Sequence, residues 1–318
     1  MRRLLGAALS VALIAGTQGV ALAAGSCDRA CLKGMVDSYL AALVAHDPAK
    51  VPIAPGARFV ENTVPMKPGE GLWKSAQAVP STFKIYVPDP TAQQVGFIGI
   101  LTEENKPIEL ALRLKLHNGR IVEMEHLIAR NLLDSSLKNL QVPRPGLTTT
   151  VPPAGRSPRD QMLKIGASYY EALVSADGND APFAEDCLRR ENGMQTTSNP
   201  PPAKPGPGTI GAMSCGPQLK THRFDYIKRI EPRRVWIADV QTGLVFGLSQ
   251  FRHPMKEAAV KIVDVPGVTE VPLTGRDGQP IKPFDMPAAH VFKVRDGKIH
   301  EIEAMGFTMP YDSRTGWE

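Results

Sequence analysis

The chain has 318 residues and a formal net charge of +5, from 37 Lys and Arg against 32 Asp and Glu. That length accommodates two domains of ordinary size. The basic residues are scattered, and the densest spot, Lys228-Arg229 with Arg233-Arg234, is interrupted by Glu231 and Pro232, so the pattern carries no nucleic-acid footprint.

Met1-Arg2-Arg3, an apolar run from Leu4 to Ala15 and Ala21-Leu22-Ala23 have the basic region, hydrophobic core and A-x-A site of a secretory signal over residues 1–24. The run is too short to span a bilayer, and no later segment approaches about 18 uninterrupted apolar residues. A periplasmic or secreted protein is expected, free of the membrane after signal cleavage. The four cysteines, Cys27, Cys31, Cys187 and Cys215, are then expected to form two disulfides. Three connectivities exist, and proximity favours Cys27 with Cys31 and Cys187 with Cys215.

Leu32, Met35, Val36, Tyr39, Leu40, Leu43 and Val44 follow the i, i+3, i+4 rhythm of an amphipathic helix, stopped by Asp47-Pro48. A strand carrying Glu61-Asn62 follows. Gln94–Thr102, Ile108–Leu116 and Ile121–Ala129 read as strands, the last two joined by Asn118-Gly119, a pair suited to a type I′ turn. Pro-rich Gln141–Arg156 reads as an extended linker.

Beyond the linker the pattern recurs. Ser38-Tyr39-x-x-Ala42-Leu43-Val44-x-x-Asp47 reappears as Ser168-Tyr169-x-x-Ala172-Leu173-Val174-x-x-Asp177, and Glu61-Asn62 as Glu191-Asn192, at one offset of 130. Met162, Ile165, Tyr169 and Leu173 mark the second helix, with Asp177-Gly178 as its stop. Strands are expected at Arg234–Ala238, Leu244–Arg252, Ala288–Val294 and Lys298–Met305, with Asp296-Gly297 as the last turn. The closing hairpins match at an offset of 178, so copy two carries about 48 extra residues, placed in Asn199–Gly208 and Pro254–Pro287. Such insertions either cover a binding site or form a surface flap. A helix followed by a curled antiparallel sheet makes each copy an α+β unit. The expected division is 25–140 for domain one, 141–156 for the linker and 157–318 for domain two.

Gly206-Pro207-Gly208-Thr209-Ile210-Gly211 matches G-x-G-x-x-G formally, but it lies in a proline loop and lacks the strand and helix that would make it a phosphate site. With no paired ligand spacing among seven dispersed histidines, neither a metal nor another cofactor is expected. Chemistry must then come from the sheet. Strand alternation puts Glu123, Glu125 and Leu127 on one face and Val122, Met124, His126 and Ile128 on the other. The first face is either a solvated exterior or a concave interior, where Glu125 beside Arg113 or Arg130 becomes a tuned buried acid. Of Glu61-Asn62 and Glu191-Asn192, one member can enter a pocket while the other ties backbone. The whole pair serves equally as a strand-end clamp. Tyr39 and Tyr169 lie on the apolar helix stripes, where a hydroxyl needs a partner. His126, His253 and His290, on or at the ends of strands, are satisfied imidazoles or general bases.

Cys27-Asp28-Arg29-x-Cys31-Leu32, Phe59-x-Glu61-Asn62, Gly69-x-Gly71-Leu72-Trp73, Arg190-Glu191-Asn192-Gly193, Cys215-x-x-Gln218, Phe224-x-Tyr226-Ile227, Arg233-Arg234 and the hairpin Phe292–Ile299 together resemble the SnoaL-like, nuclear-transport-factor-2-like superfamily. More specifically they resemble a tandem secreted family of fungi and bacteria with a domain of unknown function. The resemblance spans nearly the whole chain after residue 24. It implies two cones of curved sheet wrapped on helices, each around one pocket for a small apolar or aromatic hydroxylated molecule. It also implies cofactor-independent isomerase, dehydratase or aldol-type lyase chemistry, or a non-catalytic binding or assembly module that pairs sheets in a homo-oligomer. Candidate acid/base residues are Glu61, Glu125, His126, Glu191, His253 and His290. Candidate substrate contacts are Tyr39, Asn62, Trp73, Arg113, Arg130, Tyr169, Asn192 and Gln218.

Overall fold

The computed structural model describes residues 25–275 and 277–318, so the signal expected over residues 1–24 lies outside the described residues. Domain one comprises helix α1 (Arg29–Val44), strands β1 (Ile53–Glu61), β2 (Val64–Met66), β3 (Ala76–Ala78), β4 (Lys84–Asp89), β5 (Gln94–Glu103), β6 (Lys106–His117) and β7 (Arg120–Ala129), and the short α2 (Asp134–Leu137). Domain two comprises α3 (Arg159–Ser175), β8 (Phe183–Glu191), β9 (Met194–Gln195), α4 (Pro207–Ala212), α5 (Cys215–Lys220), β10 (Arg229–Asp239) and β11 (Leu244–His253). It continues with β12 (Ala259–Lys261), β13 (Glu270–Pro272), β14 (Phe284–Arg295), β15 (Lys298–Gly306) and β16 (Met309–Pro310).

The α1 helix starts where Asp28 accepts the Cys31 N–H at 2.8 Å, and Leu32, Val36, Tyr39, Leu40 and Leu43 then fall on one buried stripe. Burying each such side chain contributes about 1.5–3 kcal/mol. In α3, Met162, Ile165, Tyr169 and Leu173 do the same. The helix exits differ from expectation: His46 and Ala176 take the left-handed turn, with φ of 56° and 54°. Gly178 serves a close approach instead, since a Cβ there would lie 2.2 Å from the Gly216 carbonyl oxygen. The disulfides are Cys27–Cys31 and Cys187–Cys215, the pairing that proximity favours.

Each main sheet has seven strands. The orders are β2-β1-β7-β6-β5-β3, with β4 also on β5, and β9-β8-β15-β14-β11-β10, with β16 also on β14. From β2 to β5 and from β9 to β11 they match strand for strand, and the helix of each domain packs on the inner face. Both domains are therefore α+β units, a curved sheet wrapped on a helix. One pairing in each departs from the expected antiparallel curl, because β1 runs parallel to β7 and β8 to β15. Those partners are joined across the intervening sheet, not by a hairpin. The tight turns are as expected: Asn118 and Gly119 have φ of 49° and 72°, and Asp296 and Gly297 have φ of 51° and 71°.

The outer faces of the two sheets pack on each other. Ile85, Val87, Ile98, Ala111 and Leu127 of domain one share a buried cluster with Ile237, Phe246, Leu248, Ala289 and Val291 of domain two. Ion pairs at equivalent positions flank it. Arg29, at the start of α1, pairs with Asp239 at the end of β10 (2.5 and 2.8 Å), and Arg159, at the start of α3, pairs with Asp89 at the end of β4 (2.8 Å). The segment expected to be an extended linker is a strap docked on domain two: Leu147 and Val151 are buried, Arg144 meets Glu301 and Glu303, and the Val151 N–H donates to Gln241. The C-terminal segment crosses back to domain one, where Arg58 lies 4.6 Å over the Trp317 ring.

Gly96 is a point of close approach in the sheet contact, since a Cβ there would sit 2.3 Å from Cγ of Phe246. Gly96→Val is expected to lower stability by about 1–3 kcal/mol, measured by urea unfolding. Ala111→Gly in the same cluster supplies a control that removes volume instead of adding it.

Candidate functional site

The two cones hold different contents. In domain one, the Tyr39 hydroxyl lies 2.9 Å from Nε2 of His126, and Nδ1 of His126 lies 3.1 Å from Glu61. Glu61 also accepts the Leu72 N–H at 2.9 Å from the turn after β2. Trp73, on that same turn, meets the Tyr39 ring edge-on at 5.1 Å, and Phe59 meets His126 at 4.8 Å. Tyr39, Glu61, Trp73 and His126 are each at most 5 % exposed. Burial pushes the Tyr39 hydroxyl well above its ordinary range. These four sequence candidates of domain one converge, but they pack on one another in the space that they line.

In domain two the same region is a cavity of about 180 Å³, lined by Tyr169, Arg189, Glu191, Phe224, Tyr226, Phe251, His253, Phe284 and His290 among others. The difference follows from cross-strand positions. In domain one, Phe97, Leu112 and His126 are neighbours across β5, β6 and β7; in domain two the equivalent trio is Gly247, His290 and Ala304. Ala304 leaves open the space that His126 fills. Tyr170 occupies the space over Gly247, and its hydroxyl lies 3.2 Å from Nδ1 of His290. At the repeat offset of 130, Arg189 stands where domain one has Phe59.

The cavity wall is electrostatically specific. Burial pushes His290 down to about 3, with the Arg189 cation adding to the effect, and pushes His253 down to about 4 against the opposing charge of Asp285. Both imidazoles are neutral at physiological pH. His253 stacks on Phe284 at 4.1 Å, and its Nδ1 is buried without a partner among the described residues. Burial likewise raises the Tyr169 hydroxyl to about 12 despite nearby Arg189. Arg189 donates from Nε to Thr196 and from Nη2 to Gln218 (2.5 Å), and its Nε lies 2.7 Å from Glu191. Gln218 is thus spent on holding the guanidinium. The inserted segments build the mouth: β12, β13 and α4 enclose a small core of Ile210, Val260, Ile262, Val265, Val268 and Leu273, against which Tyr226 packs.

The remaining candidates lie elsewhere. Asn62 and Asn192 turn at φ of 44° and 45°, and their amides bridge the backbone of Ile128 and Gly306. In both pairs the asparagine ties strand ends while the glutamate faces inward, although Asn192 also borders the cavity. Glu125 and Arg113 are on the outer face, neither solvated nor concave as the two expectations had it. Arg234 of domain two reaches across to Glu125 at 2.5 and 2.6 Å, and Arg113 stands at 3.3 Å. That cluster belongs to the domain contact. Arg130 is spent on Glu103 at the end of β7. The sequence reading overlooked Arg189, although it lies two residues before Glu191 and so on the same strand face. It also overlooked Phe251 and Phe284, which carry no signal beyond strand hydrophobicity.

Residues 155–306 match the family model of a domain of unknown function, DUF8021. No curated protein matches the chain. Among solved structures, similarity extends to a protein of unknown function with a cystatin-like fold from Methylobium petroleophilum PM1. It has 13% identity and a TM-score of 0.29, over 38% of this chain and 97% of that one. A candidate SnoaL-like polyketide cyclase from Jannaschia sp. CCS1 has 18% identity and a TM-score of 0.27, over 48% and 89%. IdmH of Streptomyces antibioticus, a candidate polyketide cyclase, has 22% and 0.26, over 46% and 91%.

Stability is expected to fall as pH drops from about 6.5 to about 4, because the unfolded histidines take up protons that folded His253 and His290 refuse. Glu303, raised to about 7 chiefly by burial, acts in the opposite sense: its contribution is lost as pH rises from its ordinary value toward 7. Urea unfolding of wild type and His253→Phe across this window separates them. The variant is expected to lose part of the acid limb and keep the Glu303 limb.

Proposed function

We propose that the cone of domain two binds a compact, largely apolar molecule with one ring and a carbonyl or hydroxyl group, and catalyses proton transfer on it without a cofactor. Domain one is the structural counterpart that holds the second cone in place. The observation that carries this reading is the single contrast between the cones: one is filled by its own Tyr-His-Glu chain, and the other leaves about 180 Å³ beside a carboxylate and two neutral imidazoles. That volume is below the range of drug-sized pockets and suits a single-ring compound.

In this reading Glu191 removes a proton from a carbon next to the carbonyl. The C–H electron pair becomes the enolate double bond, and negative charge develops on the carbonyl oxygen. With the Tyr170 hydroxyl donating to Nδ1 of His290, Nε2–H of that neutral imidazole is the donor to the developing oxyanion. The protonated Glu191 then returns its proton to another carbon, giving an isomer, or to a departing β-hydroxyl, giving water and an alkene. Its aromatic walls exclude water from the intermediate. Two disulfides and the signal-like start fit an exported enzyme.

The test is uptake of solvent deuterium by single-ring hydroxylated ketones in D₂O, followed by proton NMR. Glu191→Gln is expected to lower the exchange rate at least about 100-fold, whereas Glu61→Gln leaves it within a few-fold and lowers stability. Equal rates in wild type and Glu191→Gln would contradict the assignment.

A further inference from the structure

Next to the cone lies a wider cleft of about 290 Å³ between the β8–β9 hairpin, α4 and α5, lined in part by Thr196, Asn199, Gln218 and Arg223. Arg189, Glu191 and Phe224 border both this cleft and the cone, so the two spaces share one wall. Most polar groups there are committed. Gln218 donates to the Thr196 and Ile210 carbonyls and accepts from Nη2 of Arg189, and Asn199 donates to the Gln195 and Gly211 carbonyls.

Two guanidinium nitrogens are not committed. Nη1 of Arg189 and Nη1 of Arg223 are both buried without a hydrogen-bond partner among the described residues, and the whole of Arg189 is only 1% exposed. Both cations are held in place by aromatic faces, Arg189 over Phe224 at 5.1 Å and Arg223 over Tyr226 at 5.8 Å. Glu191 offsets one of the two positive charges, leaving the wall cationic. A buried donor without an acceptor is destabilising, and a planar carboxylate satisfies guanidinium N–H groups with matched geometry.

We propose that this wall is a carboxylate subsite, and that the ligand is an aryl or alkenyl carboxylic acid whose ring enters the cone while its carboxylate meets Arg189 and Arg223. The inference rests on the cone being a ligand site and adds the charged end of that ligand. It assigns specificity to Arg223, which lines the cleft but not the cone.

Isothermal titration of the full disulfide-bonded chain with cinnamate and its isosteric amide, cinnamamide, tests it. Cinnamate is expected to bind at least tenfold more tightly, and Arg223→Gln to bring the two within about twofold. Equal affinity of acid and amide for the wild-type protein overturns the carboxylate subsite while leaving the cone reading intact. Binding of neither compound at millimolar concentration overturns both. The wild-type comparison decides even where the variant folds poorly, and an acid preference retained in folded Arg223→Gln overturns the role of Arg223.

Discussion

The structure depends on two sheets meeting face to face under reciprocal ion pairs. Arg29 and Arg159 open equivalent helices, Asp89 and Asp239 close equivalent strands, and each arginine reaches the aspartate of the other domain. This is the self-complementary pattern of an isologous dimer, built within one chain. The carboxylates are almost fully buried, and Asp89 also accepts the Ala238 N–H at 2.9 Å. The contact therefore supplies hydrogen bonds as well as charge, which such burial requires.

That constraint assigns the outer faces. Residues that would face solvent on an isolated cone become interfacial, so Glu125 is clamped by Arg234 and Glu303 by Arg144 of the strap. Glu109 is fully buried in the same region with neither carboxylate oxygen partnered among the described residues, and burial pushes it well above the usual carboxylate range. With the outer faces committed to each other, the exchanges that set the contents of the two cones lie on the inner faces. There a few exchanges suffice: Phe59 against Arg189, His126 against Ala304, Phe97 against Gly247. The imidazole of domain one lies on β7 and that of domain two on β14, the counterpart of β6, each reaching a helix tyrosine.

Local periodicity made much of the architecture legible. The helix stripes around Tyr39 and Tyr169, the strands after them, the Asn-Gly and Asp-Gly turns and the disulfide partners all follow from spacing a few residues long. The inward glutamate and backbone-tying asparagine of each pair follow from strand alternation. The fate of Glu125 was not legible, because alternation gives a face and not what covers it. Arg29 and Arg159 stand at the repeat offset, yet nothing local says that they cross between domains. The docking of Leu147 and Val151 was hidden by prolines that read as extended chain. The strap's contacts are with β-strands distant in sequence, 44 residues away for Arg144 with Leu188 and 159 for Arg144 with Glu303. The cavity is the least legible feature, since it arises from small residues, Ala304 above all, whose meaning appears only once the strands are paired.

The central claim is that one cone is filled and the other open. Xenon enters apolar cavities of this size and leaves filled cores unoccupied, so diffraction from xenon-pressurised crystals of the protein measures the contrast directly. The account predicts xenon density in domain two between Tyr169, Phe251 and His290 and none among Tyr39, Trp73 and His126. Density in the first cone, or in neither, would contradict it.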